Sequence, residues 1–152
     1  MPTVLVDTAA WIALVNTRDE LHNRAEQMMA DLRRRNVALV TTEFVLLEVS
    51  NALCASAWRE KGVRLIDGLR SLADLQIVAA DTTLLAEGWH LYRSRLDKEW
   101  SLTVCTSVIV MQKERIDLVF YFGSPFRAGW ILEVTVSSHR RMPFRLSSRA
   151  TY

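Results

Sequence analysis

The 152-residue chain predicts an α/β fold with a central parallel sheet of about four strands. Three observations carry that reading. Four short runs rich in β-branched residues, "TVLVD", "VALVTT", "LQIVAAD" and "IDLVFYF", have the near-continuous apolar character of strands buried on both faces. Stretches with helical periodicity separate them, and strands alternating with helices imply parallel pairing. Half the residues are hydrophobic and 24% are charged, which suits one globular domain with a substantial core.

The elements follow in chain order. Thr3–Asp7 forms the first strand, and "TAAWIALVN" follows as a short helix capped by Asp7 or Thr8. "ELHNRAEQMMADLRRR" is amphipathic, with Leu21, Ala25, Met28, Met29 and Leu32 at helical spacing. "VALVTT" is the second strand. "EFVLLEVSNALCASAWREK" reads as one long helix and "VRLIDGLRSL" as a shorter one. "LQIVAAD" is the third strand, and "TTLLAEGWHLYRSRL" a helix capped by Thr82 or Thr83. "SLTVCTSVIVMQKE" is a helix with Ser101 or Thr103 as cap, leading to the fourth strand, "IDLVFYF". Residues 1–120 form the body of the domain. Residues 121–152 depart from it abruptly, with Ser and Arg in excess and no periodicity beyond "WILEVTV".

Several function classes are excluded or weakened. No apolar run reaches the ~18–20 residues of a membrane span, so no membrane association is expected. No basic region precedes the first apolar stretch, so a signal peptide is not expected either. Cys54 and Cys105 form no CxxC and read as buried free thiols of a reducing, cytoplasmic compartment. The net charge of +2 is not a nucleic-acid footprint of the body. The tail has five Arg against one Glu, net +4, which leaves residues 1–120 at −2. His22, His90 and His139 are scattered and read as surface residues, Arg33–Arg35 as a solvated helix end, and the five Trp as core.

Two acids stand apart. Asp7 ends the first strand, at the carboxyl edge where open parallel sheets bind ligands, although helix capping explains it equally well. Glu48 lies beside Val45 and Val49, on or next to a buried helical face. A carboxylate there costs several kcal/mol unless it is paired or bound to a cation, so it is either a ligand or an edge residue paired with an Arg. Glu43 reads as solvent-facing. Together Asp7 and Glu48 suggest a Mg²⁺ or Mn²⁺ site acting on phosphate esters, for which two acids are a thin set. Asp97, in "LDKEW", is a possible supporting acid near the same edge.

The order and wording of "VLVDTAAWIALVN", "LVTTEFVLLEVSNAL" and "IVAADTTLLAEGWHLYRSRLDKEWSLTVCTSVIVM" resemble the PIN-domain family, in particular the toxin ribonucleases of VapC-type toxin–antitoxin modules. The resemblance spans residues 3 to 120. It implies a Rossmann-like α/β/α sandwich, a Mg²⁺- or Mn²⁺-dependent endoribonuclease, an RNA substrate, a cognate antitoxin and a homodimer. It also implies three or four acids around the metal. Asp7 matches the first and Glu48 the second. The third belongs to an "SLTDC" pattern, where this chain has Val104, and the fourth to a "T-x-D-x-x-F" pattern, where it has Gly123. Two metal-site acids are therefore absent, and weakened metal binding with little or no nuclease activity is expected.

The tail admits a gene-level explanation. Codons permitted for Tyr121–Val136, read one base later, encode TSDRHFEQAGFSKLL, which resembles the family's ending and includes the missing acid. With AGC for Ser137, the next shifted codon is a stop. One inserted base near the codons of Phe120 and Tyr121 would produce the observed tail, which is then expected to be poorly ordered apart from a fortuitous strand at "WILEVTV".

Overall fold

A computed structural model describes the backbone of residues 2–123, 126–134 and 146–147, and the side chains of residues 2–122. In chain order the elements are β1 (Thr3–Val6), α1 (Thr8–Val15), α2 (His22–Arg34), β2 (Ala38–Thr42), α3 (Glu43–Ala52), α4 (Ser56–Arg70), β3 (Leu75–Val78), α5 (Thr82–Ser94), α6 (Leu102–Glu114), β4 (Leu118–Gly123), β5 (Phe126–Val134) and β6 (Leu146–Ser147). The sheet order is β3-β2-β1-β4-β5-β6. The first four strands in that order are parallel, as expected, with Val4 opposite both Leu39 and Leu118. Strands β5 and β6 extend the sheet in antiparallel fashion. Trp130–Val134 of the expected strand lie in β5; Thr135 and Val136, and most of the expected disorder, fall outside the described residues.

The period-2 geometry of the strands sorts their side chains into two layers. Val4, Val6 and Leu39 face one cluster with Trp11, Met29, Val45, Val49 and Phe120, covered by α1–α4. Leu5 and Val40 face the other, with Leu84, Val110, Met111 and Ile116 of the α5–α6 side. Strands β1 and β2 are buried on both faces, which is why their runs of apolar residues are nearly unbroken, whereas the edge strand β3 exposes Gln76.

Helix boundaries differ from expectation at two places. The long helix expected over Glu43–Lys61 breaks at Leu53, and the second half joins Val63–Arg70 in one helix, α4. Tertiary packing decides this: Leu53 is buried, and a Cβ on Gly62 would stand 3.1 Å from the Leu53 Cβ, so the turn folds α4 back over the end of α3. The α5 cap is Asp81, whose carboxylate accepts from Leu84 N–H at 2.7 Å, rather than Thr82 or Thr83. Three further expectations are corrected. Cys54 is exposed, whereas Cys105 is buried. His22 is half-buried: Nδ1 meets the Ala13 carbonyl at 2.8 Å and Nε2 faces Glu26 at 3.4 Å. Trp89 lies on the surface, 49% exposed. Glu43 faces solvent near the helix start, as expected, and is also a tie. It accepts from Ala80 N–H at 3.0 Å and from the Arg70 guanidinium at 3.3 Å. The Ala80 amide and then Arg70 hold the Glu43 carboxyl below its ordinary range. His139 lies outside the described residues.

Candidate active site

The site begins at the carboxyl edge of the sheet. Strand β1 ends at Val6, and Asp7 follows at the carboxyl edge, its N–H donating to the Phe120 carbonyl of β4 at 3.1 Å. Asp7 occupies the N-cap position of α1 with extended backbone (φ −90°, ψ 170°), yet its side chain makes no capping hydrogen bond. Its Oδ1 is buried and has no partner among the described residues. A capping role therefore does not account for this carboxylate. Burial, the largest cause, pushes its pKa up to about 6; the Thr8 backbone opposes the rise, and the negative charge of Glu48 adds to it.

Glu48 reaches the same point from α3. The Thr8 hydroxyl donates to Glu48 Oε2 at 2.9 Å, across 40 residues of sequence, so Thr8 bridges the two acids. Glu48 is half-buried, and a hydroxyl on α1, rather than an Arg, is the partner that meets it there. The α1–α3 packing that makes this meeting has a polar brace. Trp11 Nε1 donates to Thr41 Oγ1 at 3.2 Å, and Thr41 Oγ1 donates to the Val6 carbonyl at 3.0 Å. All of these atoms are buried, so the residue preceding Asp7 is held by satisfied hydrogen bonds in a low-dielectric setting.

Tyr121 is the neighbour that sequence reasoning missed. It follows Phe120, which pairs with Val6 and whose carbonyl accepts from the Asp7 N–H, and burial first and the charge of Asp7 second raise its phenol above the ordinary range. No sequence signal marks it, because it follows Phe120 at the start of the atypical tail. Thr8 is the second omission: read as an alternative cap, it serves as the bridge between the acids.

The remaining positions are not brought into the pair. Asp97 is exposed and chelated by Arg95, whose Nε and Nη2 donate to its two oxygens at 2.8 Å each. The Arg95 hydrogen bonds chiefly, with Lys98 adding, hold the Asp97 carboxyl at about 2. Val104 sits in the first turn of α6, half-buried, its N–H donating to the Ser101 cap at 3.2 Å. Helix α6 delivers the chain to the start of β4, so its own N-terminus belongs to the carboxyl edge of the sheet. The first turn of α6 contains no acid. Gly123 closes β4 after an irregularity in register between Tyr121 and Gly123.

A divalent cation is tested against this donor set. The unpartnered Asp7 Oδ1 is an acceptor suited to one. Hard cations need six or more oxygen ligands, with carboxylates to balance their charge. Among the described residues no group of three or more His, Cys, Asp or Glu side chains comes together. Val104 and Gly123 supply no side-chain oxygen. The residues present do not fit a three- or four-acid centre.

Comparison with known proteins agrees with this fold. Residues 4–126 match the PIN domain family. The 23S rRNA-specific endonuclease VapC20 of Mycobacterium tuberculosis is 29% identical over 136 residues, covering 86% of this chain and 97% of the relative. Its crystal structure, described as a Sarcin-Ricin loop cleaving toxin, superposes with a TM-score of 0.72 at 21% identity, over 83% of this chain and 98% of that one. VapBC2 from Rickettsia felis, bound to a DNA fragment from its promoter, shares the fold at a TM-score of 0.52 and 13% identity, over 80% of this chain and 88% of that one. Among the described residues no helix is long and apolar enough to cross a membrane. This chain belongs to the PIN-domain family, and within it is similar to the VapC ribonuclease toxins.

Proposed function

We propose that this chain is a VapC-type PIN protein that retains half of a metal-dependent ribonuclease centre and cleaves RNA weakly or not at all. The observation that supports this most is the asymmetry of the site. Asp7 and Glu48 converge through Thr8, while the first turn of α6 has Val104 where the resemblance implies a carboxylate. In a full centre, three or four carboxylates would hold Mg²⁺ or Mn²⁺, which would supply charge neutralisation and a polarised water for hydrolysis of an RNA phosphodiester. Asp7 and Glu48 alone would hold such an ion loosely and would leave an attacking water unpositioned. RNA as substrate class and an antitoxin as protein partner come to this chain from its relatives.

The test is RNA cleavage by the purified chain with Mg²⁺ or Mn²⁺, against an EDTA control. Negligible turnover is expected, with V104D alone giving partial recovery and V104D/G123D more. EDTA-sensitive cleavage by the unaltered chain at rates typical of such nucleases would sink the proposal. A second reading, a non-catalytic protein that binds antitoxin or RNA, rests on the same incomplete donor set. It requires antitoxin binding that neither EDTA nor V104D alters.

The tail is part of the same proposal. Residues 121–152 are the product of one inserted base, and the gene's shifted frame encodes the ending TSDRHFEQAGFSKLL. The parallel pairing of Val6 with Phe120 supports a body that is in frame up to that point. DNA codons for residues 121–136 that do not spell the shifted ending would end the idea.

A further inference from the structure

Tyr121 has the geometry of a cover over Asp7. On β4, Phe120 and Phe122 belong to the α1–α4 cluster, and Val119 packs on the α5–α6 side. By strand alternation Tyr121 stands on the α5–α6 side with Val119. Strand β1 alternates in the same way. Val4 and Val6 face α1–α4, Leu5 faces α5–α6, and the extended backbone at Asp7 continues the alternation to the Leu5 side. Val6 pairs with Phe120, and the Asp7 N–H donates to the Phe120 carbonyl, so Asp7 and Tyr121 stand side by side at the carboxyl edge.

Helix α6 bounds the same space. Met111 shares a core cluster with Leu5, and Val104 stands two turns before Met111 on the same helical face. Those two turns span about 10 Å toward the carboxyl edge, and the step from Leu5 to Asp7 spans about 7 Å in the same direction. Val104 therefore lies over the edge at the level of Asp7 and Tyr121. A carboxylate at position 104 would face Asp7 across the position that Tyr121 occupies.

The consequence is visible at Asp7. A carboxylate that serves a cation has to be reachable from solution, but Asp7 is 6% exposed, and its Oδ1 has no partner among the described residues. Shutting in an unmatched carboxylate oxygen at the rim of a sheet is costly and needs a bulky neighbour. Thr8 is small and committed to Glu48, and Val104 is short. Tyr121 is large, half-buried and adjacent. Burial of the phenol, and then the charge of Asp7, keep it protonated, so at neutral pH the ring presents an uncharged, largely apolar surface to the acid.

We propose that Tyr121 closes the acid pair: its ring fills the space between Asp7 and the first turn of α6 and keeps cations and phosphates from Asp7, separately from the chemistry of positions 104 and 123. This deepens, and rests on, the reading of Asp7 and Glu48 as half of a ribonuclease centre. The shifted-frame ending has threonine at position 121, so the inserted base that removes the last acid also installs the ring. Carbodiimide coupling of an amine to the carboxyl groups of the full chain, read by peptide mass spectrometry, tests the proposal without metal. The exposed Glu60 serves as internal reference. Asp7 is expected to react slowly in the unaltered chain and in Y121F, which keeps the ring, and several-fold faster in Y121T. Y121V, whose β-branched side chain also suits a strand, is the second small variant and should behave as Y121T does. Mn²⁺ alone is the second probe. By isothermal titration V104D/Y121T should bind it several-fold more tightly than V104D, and V104D/Y121F no more tightly than V104D. Equal labelling of Asp7 in the unaltered chain, Y121T and Y121V would overturn the proposal, as would labelling as fast in Y121F as in Y121T, or equal Mn²⁺ affinity of V104D and V104D/Y121T. Any of these results would remove the cover and leave the half-centre reading, which is judged by turnover of the unaltered chain, standing.

Discussion

Asp7 shows how one residue changes meaning between sequence and structure. At the N-cap position its carboxylate is expected to accept from the helix, but it makes no such bond and buries an unpartnered oxygen instead. That burial has a stability consequence with a definite sign. A carboxyl raised from 3.8 to about 6 in the folded state favours the protonated fold, so its contribution is fully present below about pH 4 and is lost as pH rises through 6. In EDTA, D7N is therefore expected to gain about 2–3 kcal/mol over the parent at pH 8, and the gap should close by pH 4. Urea denaturation at the two pH values measures it; a gap that does not depend on pH would contradict the burial of a charge there. Val104 is the complementary residue. Asp to Val needs a single base change, and the side chain it leaves has no lone pair to offer a cation. Isothermal titration of V104D with Mn²⁺ should show binding tightened at least several-fold over the parent, a readout independent of turnover.

At the level of elements, α5 and α4 carry glycines that look alike in sequence and differ in space. A Cβ on Gly88 would come within 2.6 Å of Thr106 Cγ2 and 3.3 Å of the Thr106 backbone nitrogen, where α5 lies hard against α6. G88A is expected to cost about 1–3 kcal/mol despite alanine's higher helix propensity. Gly68 in α4 has nothing within 4 Å of such a Cβ, so G68A should stabilise by about 0.5–1 kcal/mol. Thermal melts of the two variants should therefore move in opposite directions, and movement in the same direction would refute the packing account. Asp81 gives a third measurement on α5. D81A removes the acceptor of the Leu84 N–H and should cost about 1 kcal/mol.

For the whole molecule, the four parallel strands and their two apolar layers form a frame that the changes at positions 104 and 123 leave standing. The parallel pairing of β1 with β2 and β4 needs neither residue, so the chemistry of these two positions and the fold are separable. A chain that ends in the shifted-frame sequence after Phe120 should melt higher than the parent. Combined with V104D, that ending should restore EDTA-sensitive RNA cleavage well beyond V104D alone. A lower melting point together with no gain in cleavage would argue that the existing tail is the native one.

The sequence by itself determined the element order, the parallel strands and the identity of the two acids. Strands buried on both faces have to be apolar throughout, and a carboxylate such as Glu48 beside Val45 and Val49 conflicts visibly with its surroundings. It also singled out positions 104 and 123, since neither a valine nor a glycine side chain carries an oxygen to offer a cation. Tertiary structure alone decided the rest. The break at Leu53 depends on Gly62 folding back against it, which no local propensity encodes. The Thr8–Glu48 hydrogen bond joins residues 40 positions apart, and the closeness of Tyr121 to Asp7 comes from β4 lying beside β1. The exposure of Leu85, Trp89 and Tyr92 was likewise invisible in the sequence. Helical periodicity marks an apolar stripe but cannot say whether the core or a partner covers it, and on α5 the core was already taken by Leu84.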